Sequence, residues 1–469
     1  MPIHKTWVTI SILSVKNLVS INNNLFFYGI LILVFSLTFF INYQPYIEGD
    51  TKVLVDSSYQ IIKCLKNNEF THCPNLTHFP LLQHLISLIV SPVSKNPTNN
   101  AKLLSFINLF SFSLSCVLLF RILLKKTSIN IAILGLLIFL TGFNLYYAYS
   151  SFNELTTSTL ILIALITNLK TKTNWPKIIF FSIMAGISKE VAWPIIILLN
   201  TTAQLTKKLS IKKFFRSITP TILGIVFSII INSLFNLYRY GTITNPILMN
   251  PLFMVKNNRN STSFFLGLFF SSSGGLLFFW PSLSALIIFS ISTIIHQWKQ
   301  NYLNLLVVLV LIIQNIGLAQ WFAPFGWIAW GPRLTLPLLP SCLLLLLIIN
   351  QKKINTIIQK IFSKKILTIG FFLFFAITGI SNYATLIFPQ ESLNQLFAPS
   401  PKFPTPAVIQ QNQAYYYQSI NELIWRKNPI LYKNVIDAIK FKTTATLPYF
   451  LLLLVLFTKL KKYKKIPSH

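Results

Sequence analysis

Acidic residues are nearly missing: nine Asp and Glu stand among 469 residues, against 40 Lys and Arg, for a formal net charge of +31 at pH 7. Charged residues of both signs make up only 10% of the chain. An ordinary soluble domain carries roughly 25%, so a water-soluble globule is excluded. Four cysteines are too few for a disulfide framework, and two of them, Cys116 and Cys342, fall inside apolar runs. The chain has no nucleotide-binding motif, no convincing internal repeat and no RNA- or DNA-binding pattern. Its positive charge therefore does not point to nucleic acid.

What fills the chain instead is apolar. Hydrophobic residues are 53% of the total and the mean hydropathy is +0.62. Runs of about 18 residues or more, the length that crosses a bilayer, recur from residue 25 to residue 458. They predict an all-α polytopic membrane bundle of about twelve spans: 25–42, 103–124, 128–147, 154–169, 177–188, 190–206, 214–238, 275–296, 302–319, 334–350, 366–388 and 446–458. The first follows Lys5 and Lys16 and ends without a small-residue cleavage site, which predicts a retained signal anchor.

The charges check this layout. With both ends cytoplasmic, the segments on that side carry twenty-four cations and no acid, while all nine acids fall on or near the other face. That is the asymmetry of the positive-inside rule. Only the outer face then owns carboxylates, so chemistry is expected there, at a multi-pass protein of the bacterial inner or plasma membrane. The expected organisation is a cytoplasmic N-terminus (1–24), a transmembrane catalytic region (25–388) with an outer loop at 43–102, an outer C-terminal loop (389–445), and a last span with a basic tail (446–469). The first outer loop holds an amphipathic stretch (53–65) and the apolar FPLLQHLISLIV (79–90), both expected as juxtamembrane helices. The late loop opens with Pro399, Pro401, Pro404 and Pro406, a stiff extended run.

Four groups of residues on that face can carry chemistry. YQPYIEGDTKVLVDSSYQ brings Glu48, Asp50 and Asp56 together just after the first span. Carboxylates held at a membrane surface can take a proton from a hydroxyl or ligate a metal, and the plain alternative is a solvated acidic loop. FNLYYAYSSFNELTT places Tyr147, Tyr149 and Glu154 at an interface where an aromatic belt is also expected. GISKEVAWP interrupts an apolar stretch with Lys189 and Glu190, either a functional pair or a structural ion pair. WGPRLTLPLLP sets Arg333 behind a Trp-rich turn, suited to forked hydrogen bonds with a phosphate or to snorkelling towards headgroups. The first outer loop also holds Cys64, His72, Cys73, His78 and His84, residue types that bind zinc, though in no template spacing. A divalent metal thus stays open, and no other cofactor is expected.

Taken in order, these pieces resemble the GT-C superfamily of polytopic glycosyltransferases, in particular the bacterial branch of protein O-mannosyltransferases and the lipid A aminoarabinose transferase. The matching segments are EGDTKVLVDSSYQ with HFPLL, YYAYSSFNEL, MAGISKEVAWPIIILL, NLYRYGTITNP, FFLGLFFSSSGGLLFFWPSLSAL and GPRLTLPLLP, covering about residues 25 to 345. The resemblance implies a hexosyl- or pentosyltransferase: inverting transfer of one sugar from a polyprenyl-phosphate donor to a glycan, lipid or protein acceptor outside the cytoplasm. On it, Asp50 is the expected base and Lys189 and Arg333 hold the lipid phosphate. Glu154 orients acceptor or sugar, and Glu48, Asp56, Tyr147, Tyr149 and Glu190 are expected contacts. The expected partners are that donor, the acceptor and membrane lipids. An O-antigen polymerase or ligase is the second reading, on Arg426 in the late loop, and a secondary transporter the third.

Overall fold

The computed structural model describes residues 49–387 and 443–463, apart from 70–71, 74–75, 91–96, 149, 151, 171–173, 208, 247–253, 255–257, 272–273, 322–325 and 327–330. Among them are seventeen α-helices and no strand. The expected first span and the late loop lie outside the described residues.

Helices α1 (Gly49–Lys66) and α2 (Leu81–Val90) occupy the first loop, where juxtamembrane helices are expected. There follow α3 (Pro97–Lys126), α4 (Ile129–Leu140), the single turn α5 (Asn144–Tyr147), α6 (Glu154–Leu169), α7 (Trp175–Ser188), α8 (Ala192–Leu205) and α9 (Ile211–Tyr240). The second half holds α10 (Asn258–Phe270), the single turn α11 (Leu276–Phe279), α12 (Pro281–His296), α13 (Tyr302–Ala319), α14 (Leu339–Ile349), α15 (Gln351–Ser363), α16 (Lys365–Ile387) and α17 (Thr443–Tyr463). Every expected span from 103 onward falls on a helix or a helix pair. Four helices are long and apolar enough to cross a membrane alone (α3 from Leu103, α9, α13 and α16 to Tyr383), and a fifth span arises if α14 and α15 count as one bent element. The remaining apolar helices are shorter. Two helices stand where none was expected: α10, and α15 in the basic segment after residue 350.

Close helix approach is arranged by small residues, the usual device where lipid supplies no hydrophobic drive. α7 and α9 meet at Ser182, Gly186, Gly224 and Ser228. A Cβ at Gly224 would stand 2.8 Å from the Ile179 carbonyl oxygen and one at Gly186 2.3 Å from Ser228 Oγ, so neither helix could lie as near with alanine there.

The break between α4 and α6 would leave carbonyls bare at membrane depth, where each unsatisfied group is expensive. Side chains from four elements cover them. Trp280 Nε1 donates to Ile138 O (2.7 Å), Tyr449 Oη to Leu140 O (2.6 Å) and Asn382 Nδ2 to Thr141 O (2.9 Å). Asn108 Nδ2 donates to both Ser150 O and Phe152 O (2.6 Å each), while its Oδ1 accepts from Thr156 Oγ1 (2.8 Å). The irregular segment 141–153, which ends at Glu154, is thereby held from α3, α16, α17 and the turn before α12.

The first loop is clamped onto the C-terminal end of α9. Arg239, buried, donates from one terminal nitrogen to Thr77 O (3.0 Å) and Phe79 O (2.7 Å), and from the rest of its fork to Asn236 Oδ1. Cys73 N donates to Tyr238 O (2.9 Å). Cys64 and Cys73 are joined as a disulfide with a Cα–Cα distance of 5.8 Å. This corrects the zinc reading of the loop: both thiols are consumed. Among the described residues no three His, Cys, Asp or Glu side chains gather as a metal site.

His84 of α2 is fully buried, with Ser57 Oγ and Thr77 Oγ1 each 3.5 Å from a ring nitrogen and Phe235 against the ring. Burial first, then the Arg239 charge, lowers its pKa from 6.5 to about 4. The folded protein thus keeps this imidazole neutral where the unfolded chain would protonate it. Stability should be unaffected above about pH 7, fall by about 3 kcal/mol as pH drops from 6.5 to 4, and level off below. Unfolding of the detergent-solubilised protein at pH 7.5 and 4.5 should show a clearly smaller difference for His84→Gln than for the wild type. Equal differences would show that His84 does not carry this dependence.

Candidate active site

Glu154 opens α6, where a helix N-terminus favours a carboxylate, and it is only 2% exposed. Two cations from distant parts of the chain meet it. Lys189 ends α7 with extended backbone (φ −168°, ψ 129°) before the chain turns into α8, and that kink sends its ammonium to Glu154 Oε1 at 2.6 Å. The kink is fixed from α6: Asn153 Nδ2 donates to Ser188 O, and Ser188 Oγ donates to Thr157 Oγ1 (2.8 Å). Arg333 lies in a 3₁₀ turn (Arg333–Thr335) leading into α14, with Nε 3.4 Å from the same Oε1.

The guanidinium is packed against a ring and a glycine. Its central carbon stands 3.7 Å from the centroid of the Phe152 ring, a cation–π contact. Gly326, at φ +97°, also stands close, for a Cβ there would come within 2.6 Å of Arg333 Nε. Position 326 therefore needs glycine twice over, for its backbone conformation and for the room it leaves. Gln314 of α13 donates Nε2 to Leu334 O (3.1 Å), which ties the turn carrying Arg333 to the bundle.

Lys189 and Arg333 thus share one carboxylate oxygen of Glu154. Two cations converging on one point form an arrangement that an anion with several oxygens can engage. Glu154 Oε2 is buried with no hydrogen-bond partner, and a ligand donor could use it.

Of the residues expected from sequence, the fold brings together Glu154, Lys189 and Arg333. Lys189 pairs with Glu154 across 35 positions, which replaces the expected alternative of a pair with its neighbour Glu190, a half-buried residue. Asp50 lies in the first turn of α1, and Asp56 is exposed six residues on. Tyr147 is fully buried, edge-on to Phe143 and Tyr146 and near Phe152. Glu48 and Tyr149 lie outside the described residues. Phe152, Asn153, Gln314 and Gly326 were not foreseen. The available signal was an amide inside an apolar helix run, which calls for a partner.

No family model matches the chain, and no curated protein matches it. Among solved structures, ArnT from Cupriavidus metallidurans in the apo state is similar over 95% of this chain and 78% of that one, with a TM-score of 0.51 and 9% identity. The same protein bound to undecaprenyl phosphate gives 0.48, with 11% identity over 94% and 77%. The first likeness shows the fold: this chain is a multi-pass membrane protein with the GT-C-like architecture that its motifs resemble. The likeness also runs well past residue 345, where the motif resemblance ended.

Proposed function

We propose that the protein is an inverting glycosyltransferase, moving one sugar from a polyprenyl-phosphate donor to a glycan, lipid or protein acceptor at the extracytoplasmic face of a bacterial inner membrane. The observation that carries this reading is the meeting of Lys189 and Arg333 at Glu154 within a GT-C-like fold.

The charges suit the chemistry. A polyprenyl-phosphate sugar is a phosphodiester with one negative charge. When the anomeric C–O bond breaks, the departing polyprenyl phosphate gains a second. Two cations aimed at one place bind that developing dianion better than the donor, and such differential binding speeds the chemical step. Asp50 takes the proton from the acceptor hydroxyl, whose oxygen bonds to the anomeric carbon as the phosphate leaves from the opposite side. Glu154 keeps the two cations at one place until the phosphate arrives, and its free oxygen accepts a hydroxyl of sugar or acceptor.

The disulfide supports the orientation. Cys64–Cys73 bridges the loop clamped by Arg239 to the same end of the bundle as Glu154, and structural disulfides persist in oxidising compartments outside the cytoplasm.

The test is transfer from a radiolabelled polyprenyl-monophosphate sugar by the purified protein in proteoliposomes, with product anomeric configuration read by NMR. Absence of release of polyprenyl phosphate from any hexosyl or pentosyl donor would reject the reading. A second expectation concerns the cations. Lys189→Ala and Arg333→Ala should each weaken donor binding about tenfold or more, Arg333→Lys should restore it only in part because an ammonium offers no fork, and the double variant should lose less than the sum of the two. Additive losses in a donor titration would place the two cations on different anions.

A further inference from the structure

Between Glu190 and Glu391 the sequence contains no acidic residue, and α15 lies within that stretch. It bends 83° from α14 at Asn350. The bend is built, not loose: Asn350 and Asn304 exchange amide hydrogen bonds (2.9 and 2.8 Å), and Asn350 Nδ2 also reaches Ser290 Oγ (3.3 Å). One face of α15 buries Ile354, Ile358 and Phe362, with the Phe362 ring against Phe371 of α16 and Phe457 of α17. The other face exposes Lys352, Lys353 and Lys360 and runs on into exposed Lys364 and Lys365. Among the described residues both ion pairs are at Glu154, so none of the described carboxylates pairs with this row. Directly beside it stand Ile366, 83% exposed, and Leu367, 47% exposed.

We propose that α15 and the first turn of α16 form a docking surface for the anionic headgroups of phospholipids in the leaflet that meets this end of the bundle. The lysines supply charge at headgroup level, where each adds favourably to binding of acidic lipid. Ile366 and Leu367 favour a lipid over an acidic macromolecule: every phospholipid carries acyl carbons next to its phosphate, whereas a nucleic acid backbone carries none. The surface is independent of the reaction proposed above.

The experiment uses the whole chain in mild detergent, with photoactivatable phosphatidylglycerol or photoactivatable phosphatidylcholine, labelled peptides being mapped by mass spectrometry. Phosphatidylglycerol should label segment 351–367 about fivefold or more over phosphatidylcholine. Raising NaCl from about 0.05 to 0.5 M should bring that ratio towards one, because exposed charges are screened. Replacing Lys352, Lys360, Lys364 and Lys365 by Gln should do the same, while the four Arg replacements keep the preference. The salt arm needs no variant to fold. Equal labelling by the two lipids, a preference indifferent to salt, or displacement of phosphatidylglycerol by an oligonucleotide at matched charge would each overturn the proposal.

Discussion

Asp50→Asn is expected to lower turnover by about 10²-fold or more while the protein still inserts and folds, because the amide keeps the size of the carboxylate and loses its basicity. The residue sits in the first turn of α1, a helix packed on α2 and α3 and anchored through the disulfide and the Arg239 clamp. No other carboxylate is expected to replace it. Asp56 is exposed further along the same helix, and Asp56→Asn and Glu48→Gln should be milder. The measurement is kcat for sugar transfer at saturating donor, paired with thermal unfolding to show an intact fold. Near wild-type turnover in Asp50→Asn would remove it from the reaction.

The second large effect is on stability. Glu154→Gln preserves shape but takes the buried carboxylate from between Lys189 and Arg333, two like charges that had shared one of its oxygens. Removing one member of a buried charge cluster typically costs about 3–5 kcal/mol, so the variant should unfold at a markedly lower temperature in detergent. The loss should be repaired in part by a ligand. Polyprenyl monophosphate supplies the missing anion, and it should raise the unfolding temperature of Glu154→Gln more than that of the wild type. A variant as stable as the wild type, or one that the lipid phosphate stabilises no further, would show that Glu154 is not what holds the two cations.

How much of this was legible in the sequence depends on the length scale of each signal. The runs that became α3, α9, α13 and α16 were legible because a bilayer imposes one long apolar length. α10 was not, since it opens on Asn258, Asn260, Ser261 and Ser263 and only its second half is apolar. α15 was hidden for a related reason: the lysines that mark it as a loop in a hydropathy reading are the exposed face of an amphipathic helix. The three site residues could be nominated singly, as rare charges next to apolar runs. Their convergence could not, because Lys189 has an acidic neighbour in sequence and the better partner lies on another helix. The loop cysteines show the same limit, for their nine-residue spacing and nearby histidines suit a metal as well as a bridge. Gln314 and Gly326 act through geometry alone, one by a carbonyl it holds and the other by a Cβ it lacks.

The order in which the site's charges leave the ribosome follows from the same contacts. Glu154 and Lys189 are made 35 residues apart, so α6 and α7 can enter the bilayer as a hairpin whose two opposite charges neutralise each other. Arg333 comes far later, roughly 7–30 s afterwards at ordinary synthesis rates, and only then does the second cation join the cluster. The carboxylate that holds two cations together in the finished protein is thus also an escort for the first of them during insertion. A chain arrested between α9 and α13 should already be membrane-integrated yet blind to lipid phosphate.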